Sequence, residues 1–302
     1  MKQVRSVICI LLSGILWGCL GLFVRTLNKH GIASMDIVFL RSFITVVAMI
    51  AYLFMFHRKM LRIRLKDLWC FLGTGIASIT FFNFCYFKAI VLTSLSVAAV
   101  LLYTAPAIVM VLSYILFHES FTERKGIAIA MTFIGCVLVT GMINEQHTIT
   151  GQGVLYGLGA GLGYALYSIF SRYAIECGYH SLTITCYTFI VTSLSSILFT
   201  DVKKVAGVVF SSPAFLFLAL ALGLICTVAP YLLYTLGLRE VDNSRASIIA
   251  SIEPVTATML GFFVYQENIT KEKFIGMLLV IGGMVVCQKK SNSEIKKRSI
   301  EE

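Results

Sequence analysis

Glu253 and Arg41 put charge where charge is expensive. Glu253 lies about nine residues into an apolar run that begins near position 245, and Arg41 about eight residues into a run that begins near 34. In helical geometry the first distance is about 13 Å of depth, at ~1.5 Å per residue. An ionised carboxylate at that depth in a membrane costs about 3 kcal/mol or more unless it is paired or hydrated. Glu253 is therefore expected either to face an internal cavity or to be protonated. It would serve as a proton- or cation-linked site or as the partner of a substrate amine; the competing reading is a neutral carboxylic acid that holds a neighbouring helix by a hydrogen bond. The following residue, Pro254, cannot donate to the carbonyl of Ala250, which leaves a free acceptor and marks a kink. Arg41 has three readings: it attracts a substrate carboxylate, it pairs with an acidic side chain such as Asp36, or it snorkels to the interface.

The remaining candidates are polar and aromatic: Trp17, Asn83, Tyr86, Tyr103, Thr104, Tyr231 and Tyr234, all in runs expected to meet at the centre. A site for an amphipathic metabolite needs apolar walls with a few polar groups. For each aromatic the competing reading is an interfacial belt or a lipid contact. Asn83 stands out, because an amide in the middle of a span needs partners. Other chemistries lack their residues. The five histidines are scattered over loops and helix ends without H-x-x-x-H spacing, and no D-x-x-D pair or Walker A sequence is present. The nine cysteines show no ligand spacing and read as small buried hydrophobes, so neither a metal nor another cofactor is expected.

The elements that must position these residues are membrane spans. The chain is 58% hydrophobic and 13% charged, with a mean hydropathy of +0.87. Its apolar residues come in continuous runs of about twenty, enough to cross about 30 Å of hydrocarbon as helices and unlike the alternation of a membrane β-barrel. Ten spans are predicted, near 6–26, 34–56, 68–90, 95–117, 126–143, 153–171, 181–200, 213–237, 245–265 and 274–288. Lys2 and Arg5 precede the first, but no A-x-A-like cleavage site follows, so it reads as a span and not as a signal peptide. The net charge of +10 sits in short loops and at the C-terminal end, which argues against a nucleic-acid surface. With the N-terminus inside, seventeen lysines and arginines fall on the cytoplasmic side and seven outside, with Arg41 left within a span, so both termini are expected in the cytoplasm. The basic run Arg58–Lys66 then sets topology from a cytoplasmic loop.

The spans repeat. Residues 94–127 align without a gap on 242–275, a shift of 148 that pairs Ser96 with Ser244, Ala98 with Ala246, Pro106 with Pro254, Glu119 with Glu267, Thr122 with Thr270 and Lys125 with Lys273. Gly75 with Gly223, Tyr86 with Tyr234 and Gly135 with Gly283 share that shift; at 147, Phe23 meets Phe170, Arg25 meets Arg172 and Gly31 meets Gly178. An odd number of spans per copy inverts the second copy, so the expected fold is an all-α polytopic membrane protein of two inverted five-helix repeats. The first repeat is expected over 1–143 and the second over 144–288, with a basic cytoplasmic tail at 289–302. Glu119 and Glu267 end their helices, where an acidic residue opposes the helix dipole. Their recurrence points to an architectural role alongside Pro106 and Pro254: capping the next helix near Thr122 and Thr270, or clasping a neighbouring one. Glycines at small-xxx-small spacing (Gly14/Gly18, Gly153/Gly157/Gly161, Gly159/Gly163) read as close packing within the chain.

These motifs carry a resemblance. Trp17-Gly18, Leu40-Arg41, Ser96-Val97-Ala98-Ala99, Pro106, Glu119 and Gly126, with Ala246, Glu253-Pro254, Glu267 and Gly276 in the second half, resemble the ten-helix EamA-type branch of the drug/metabolite transporter superfamily. The resemblance implies inverted repeats around a central cavity and secondary transport of amino acids, related metabolites or drug-like compounds, frequently as export. It also implies an arginine near position 41 whatever the substrate, which favours a structural role for Arg41. The expected function is alternating-access transport of a small organic molecule across the cell membrane, in a lipid bilayer, with a proton or counter-substrate left open as a further partner. The alternatives are an integral-membrane enzyme acting on lipid and a non-transporting sensor or scaffold.

Overall fold

The computed structural model describes residues 2–142 and 150–288. The expected tail at 289–302 lies outside the described residues, as does most of the connection 145–152. Among the described residues every regular element is helical. In chain order the principal helices are α1 (Lys2–Lys29), α2 (Ser34–Phe56), α3 (Leu65–Leu92), α4 (Leu95–Phe117), α5 (Glu123–Thr140), α6 (Gly151–Glu176), α7 (Ser181–Phe199), α8 (Pro213–Gly237), α9 (Asn243–Tyr265) and α10 (Lys271–Gln288). All but α5 and α10 are long and apolar enough to cross a membrane. These two have 18 residues each and carry three charges in the first turn, Glu123, Arg124 and Lys125 in one and Lys271, Glu272 and Lys273 in the other. Their apolar remainder spans about 22 Å at 1.5 Å per residue. Both begin three residues earlier than hydropathy predicts, because Thr122 and Thr270 accept the N–H groups of Lys125 (3.3 Å) and Lys273 (3.4 Å) and so cap the charged turn.

One element was not expected. A short helix, Val202–Val209, follows α7. Asp201 caps it by accepting the Lys204 N–H at 3.1 Å. Val205 and Val209 are buried beside Leu27 and Ile32, while Lys203 and Lys204 stay exposed. A two-residue apolar stripe on eight residues is too short a pattern to stand out among runs of twenty.

The duplication is visible in the backbone. Helix α4 is interrupted after Leu102 and resumes at Ala105, and α9 is interrupted after Ala250 and resumes at Glu253. In each case a proline, Pro106 or Pro254, opens the second piece, where its missing N–H is harmless. The carbonyl deprived of its partner four residues earlier is covered by a glycine: a Cβ on Gly14 would come within 2.7 Å of the Ala250 oxygen, and one on Gly161 within 3.4 Å of the Leu102 oxygen. Helix C-caps in left-handed conformation recur at His118 (φ 52°) and Gln266 (φ 55°), and loop glycines at Gly31 (φ 82°) and Gly178 (φ 88°). Turns of π-helix interrupt α3 at Gly73–Thr80 and α8 at Leu224–Val228.

Contacts between the halves are reciprocal. Thr45 reaches the Gly223 carbonyl (3.2 Å), and Thr192 reaches the Gly75 carbonyl (3.4 Å). In the seam of α5 against α10, a Cβ on Gly135 would meet the Gly276 oxygen at 2.7 Å and one on Gly283 the Ala128 oxygen at 2.8 Å. Each second contact is the first with the halves exchanged, which defines a two-fold axis. Because five principal helices lie in each half, that axis inverts one repeat relative to the other. Gly14, Gly18, Gly153, Gly157 and Gly161 all pack on helices of this same chain. The main core forms where the halves meet, from Ile10, Trp17, Ile79, Tyr167, Phe189, Tyr231, Tyr234 and Ile249.

Candidate functional site

Glu253 is the eleventh of the 23 residues of α9, and the interruption just before it makes it the first residue of a new helical piece. A helix N-terminus buried within a bundle directs its unpaired N–H groups and positive dipole end inward, which favours a carboxylate there. The equivalent position in α4 is Ala105, buried and neutral. Within the second repeat the Tyr164 hydroxyl of α6 donates to Glu253 Oε2 at 3.3 Å. Tyr86, Tyr103, Tyr164, Tyr231, Cys136 and Arg41 all lie within electrostatic reach of the Glu253 carboxylate. Glu253, Tyr86, Tyr103 and Tyr164 nevertheless keep part of their surface accessible. A carboxylate ringed in this way is directed into the bundle, between its helices.

Beneath these residues lies an aromatic floor. The Trp17 ring is 5.1 Å from Tyr231, 5.3 Å from Tyr234 and 6.2 Å from Tyr164, and Tyr167 meets Tyr231 at 5.0 Å. Edge and tilted contacts of this kind fix ring orientation beyond what burial alone provides. Trp17, Tyr231 and Tyr234 are buried, and the Tyr234 hydroxyl is held by Ser168 at 2.6 Å. The Trp17 indole N–H has no hydrogen-bond partner among the described residues.

Arg41 departs from two of its expected readings. It is buried at 3% exposure, so it does not snorkel to an interface. Asp36 is not its partner: that carboxylate accepts the Ala33 N–H at 3.2 Å, capping α2, and the Asp201 N–H at 3.1 Å, tying down the loop that follows α7. No carboxylate of the described residues lies within 4.0 Å of the guanidinium. Arg41 instead faces the Tyr231 hydroxyl, with Glu253 beyond. Asn83 is also satisfied locally. Its amide donates to the Ile79 carbonyl one turn earlier at 2.7 Å, which removes the need for partners that singled it out.

Glu119 and Glu267 follow the C-terminal ends of α4 and α9. Glu119 does not cap its own next helix, which Thr122 does. It accepts the N–H groups of Asn243 (2.8 Å) and Ser244 (3.2 Å) at the start of α9. Glu267 pairs with Arg25 at 2.9 Å. Each therefore clasps a neighbouring helix.

Tyr164, the direct partner of Glu253, was not among the residues singled out by sequence. The signal existed: a shift of 147 from Trp17 lands on Tyr164, so the two are equivalent residues that meet near the two-fold axis.

Apolar helices arranged as two inverted repeats, with an acid, a guanidinium and four tyrosines gathered between them, define a multi-pass membrane protein. Residues 4–141 and 151–287 each match the profile of the EamA-like transporter family. The chain belongs to the EamA-like transporter family. An uncharacterized transporter of Archaeoglobus fulgidus is 27% identical over 287 residues, covering 92% of this chain and 94% of its own. The uncharacterized transporter YwfM of Bacillus subtilis is 29% identical over 203 residues, 67% of each chain. A crystal structure at 18% identity superposes with a TM-score of 0.77 over 94% of this chain and 96% of its own, a likeness of fold.

Proposed function

We propose that this protein is a secondary transporter that moves a small organic metabolite, an amino acid, a related compound or a drug-like molecule, by alternating access, and that Glu253 with its tyrosines and Arg41 forms the substrate or coupling site. The observation that carries this reading is the Glu253 carboxylate, hydrogen-bonded to Tyr164 of a neighbouring helix, close to Arg41 of the other repeat and still partly accessible. An acid and a guanidinium kept apart within one apolar interior leave each able to meet an opposite charge on a substrate. The aromatic floor of Trp17, Tyr231 and Tyr234 gives such a substrate an apolar surface. A carboxylate in this position is also suited to carry a coupled proton.

The proposed location is the cell membrane with both termini cytoplasmic, and the proposed direction is export. Support for the orientation comes from basic side chains gathered at one end: Arg64 donates to the Cys177 carbonyl, Arg239 to the Tyr179 carbonyl and Arg172 to the Val241 carbonyl. Positive charge of this kind favours the cytoplasmic face.

Transport by purified protein in liposomes, screened with amino acids, amines, purines and sugars with and without a pH gradient, tests the reading. Once a substrate is found, Glu253→Gln keeps the size and hydrogen bonding of the side chain but removes its charge and its proton. A coupling role predicts loss of pH-driven accumulation with downhill exchange preserved, and an amine-binding role predicts weaker binding at every pH. Transport by the variant that matches wild type across the pH range removes Glu253 from the site.

A further inference from the structure

At the centre of the molecule two buried side chains that can only donate hydrogen bonds flank one tyrosine. Arg41 of α2 carries five N–H groups and no lone pair, and Trp17 of α1 carries one N–H and no lone pair. The hydroxyl of Tyr231, from α8, faces the guanidinium, and its ring lies 5.1 Å from that of Trp17. Among the described residues no carboxylate comes within 4.0 Å of Arg41, and the Trp17 N–H has no acceptor. The neighbouring hydroxyls are engaged elsewhere. Ser42 donates to the Val38 carbonyl at 2.6 Å, Thr45 to the Arg41 carbonyl at 2.8 Å, and the Tyr234 hydroxyl is held by Ser168.

Packing alone does not account for this arrangement. A buried charge is expensive without a close counter-ion, and an apolar side chain of similar volume stabilises a fold as well or better. What the group lacks is an anion. A carboxylate presents two oxygens in one plane, the shape that the guanidinium fork binds through two parallel hydrogen bonds. Its remaining lone pairs are free to accept from a hydroxyl and from an indole N–H, the two donors that stand beside Arg41.

We propose that Arg41, Tyr231 and Trp17 form an anion subsite that takes the carboxylate of the transported molecule, and that Glu253 takes up a proton from solvent when that carboxylate binds. The proposal rests on the transport reading above and narrows its substrate to organic acids. The groups that act on Glu253 come from six helices: Arg41 of α2, Tyr86 of α3, Tyr103 of α4, Cys136 of α5, Tyr164 of α6 and Tyr231 of α8. Arg41 is the one cation among them. In the empty site Glu253 offsets that cation from beyond 4.0 Å. A substrate carboxylate seated on Arg41 takes over this role and sets a second negative charge near Glu253, which favours the protonated form of the acid. One anion and one proton then enter together, and the net charge of the site is unchanged. An apolar membrane interior penalises net charge, so this neutral pair is the form suited to cross it.

The test is binding of sodium acetate, a carboxylate small enough to probe the subsite alone, to the full chain in lipid nanodiscs. Trp17 is the reporter. The second tryptophan, Trp69, packs on Phe170 and Tyr173 and is removed by W69F. Acetate is expected to shift the Trp17 emission saturably, because the indole N–H gains an acceptor, and acetamide at the same concentration is expected to leave it in place. R41Q is expected to abolish the shift. R41K, which keeps the charge and loses the fork, and Y231F are each expected to weaken acetate about tenfold; these two carry the comparison if R41Q fails to fold. Acetate affinity is expected to fall about tenfold or more from mildly acid to mildly alkaline pH, as Glu253 loses its proton, and to lose that dependence in E253Q. No shift with acetate, an equal shift with acetamide, or acetate binding unmoved by R41K and Y231F overturns the subsite. Binding of methylammonium in place of acetate overturns it in favour of an amine at Glu253, and a pH dependence that survives E253Q overturns the coupled proton. Because the readout is binding and not flux, the liposome assay with wild-type protein decides the function separately: transport without acetate binding removes the subsite alone, and acetate binding without transport removes the transport reading alone.

Discussion

Tyr164 matters because of what it does to one carboxylate. Its hydroxyl is 3.3 Å from Glu253 Oε2, and a hydrogen bond to a charged group contributes about 1.5–3 kcal/mol. Tyr164→Phe removes that donor while keeping the ring contacts with Trp17 and Phe82. Substrate affinity or transport rate is expected to fall about tenfold or more, with the unfolding temperature in detergent unchanged. If the rate holds and the unfolding temperature drops, Tyr164 is a packing residue and Glu253 finds its site without it. Arg41 belongs beside it. An arginine buried at 3% exposure, with no described carboxylate within 4.0 Å, is held by neutral neighbours such as Tyr231, an arrangement costly enough in a membrane interior to suggest a use.

At the scale of elements, the seam between α5 and α10 is a joint in which backbone meets backbone. A Cβ on Gly135 would lie 2.7 Å from the Gly276 oxygen and 2.9 Å from the Val280 nitrogen. Both are backbone atoms, so the helices must separate to admit it. Gly135→Ala is expected to destabilise by about 1–3 kcal/mol, the range for overpacking in a close-packed core, seen as a lower unfolding midpoint. Gly126, in the first turns of the same helix, has nothing within 4 Å of such an atom. Gly126→Ala is expected to be neutral or to stabilise by about 0.5–1 kcal/mol through the lost chain entropy of glycine. Equal effects from the two changes would mean that helix propensity, not the seam, sets the response.

For the molecule as a whole, orientation is the property that the helices imply and the membrane must confirm. Reporter fusions after residue 288 and within Arg58–Lys66 are expected to report cytoplasmic, as is a fusion at the N-terminus. A C-terminal reporter outside the cell would mean that the chain crosses an odd number of times, which contradicts five crossings per repeat. The inverted arrangement itself rests on reciprocal contacts such as Thr45 with Gly223 and Thr192 with Gly75, and a topology result inconsistent with it would have to explain them otherwise.

By itself, the amino-acid sequence determined the class of fold, the repeat and the places where helices break. Hydropathy sets spans because burial in lipid is decided residue by residue along about twenty positions. A proline ends a hydrogen-bond ladder wherever it stands, so Pro106 and Pro254 announced the interruptions at Leu102 and Ala250 without knowledge of any neighbour. The equivalence of Glu119 and Glu267 was likewise legible, because a shift of 148 needs no structure. Only the tertiary structure decided what each charge meets. Asp36 was the nearest acid to Arg41 in sequence, yet it caps its own helix and leaves Arg41 to Tyr231. Tyr164 reaches Glu253 across 89 residues, a pairing that no local pattern encodes. The difference between the two ends is the clearest case. A duplicated sequence gives Glu119 and Glu267 equivalent places in the chain, and it is the packing that gives the first a helix to cap and the second an arginine.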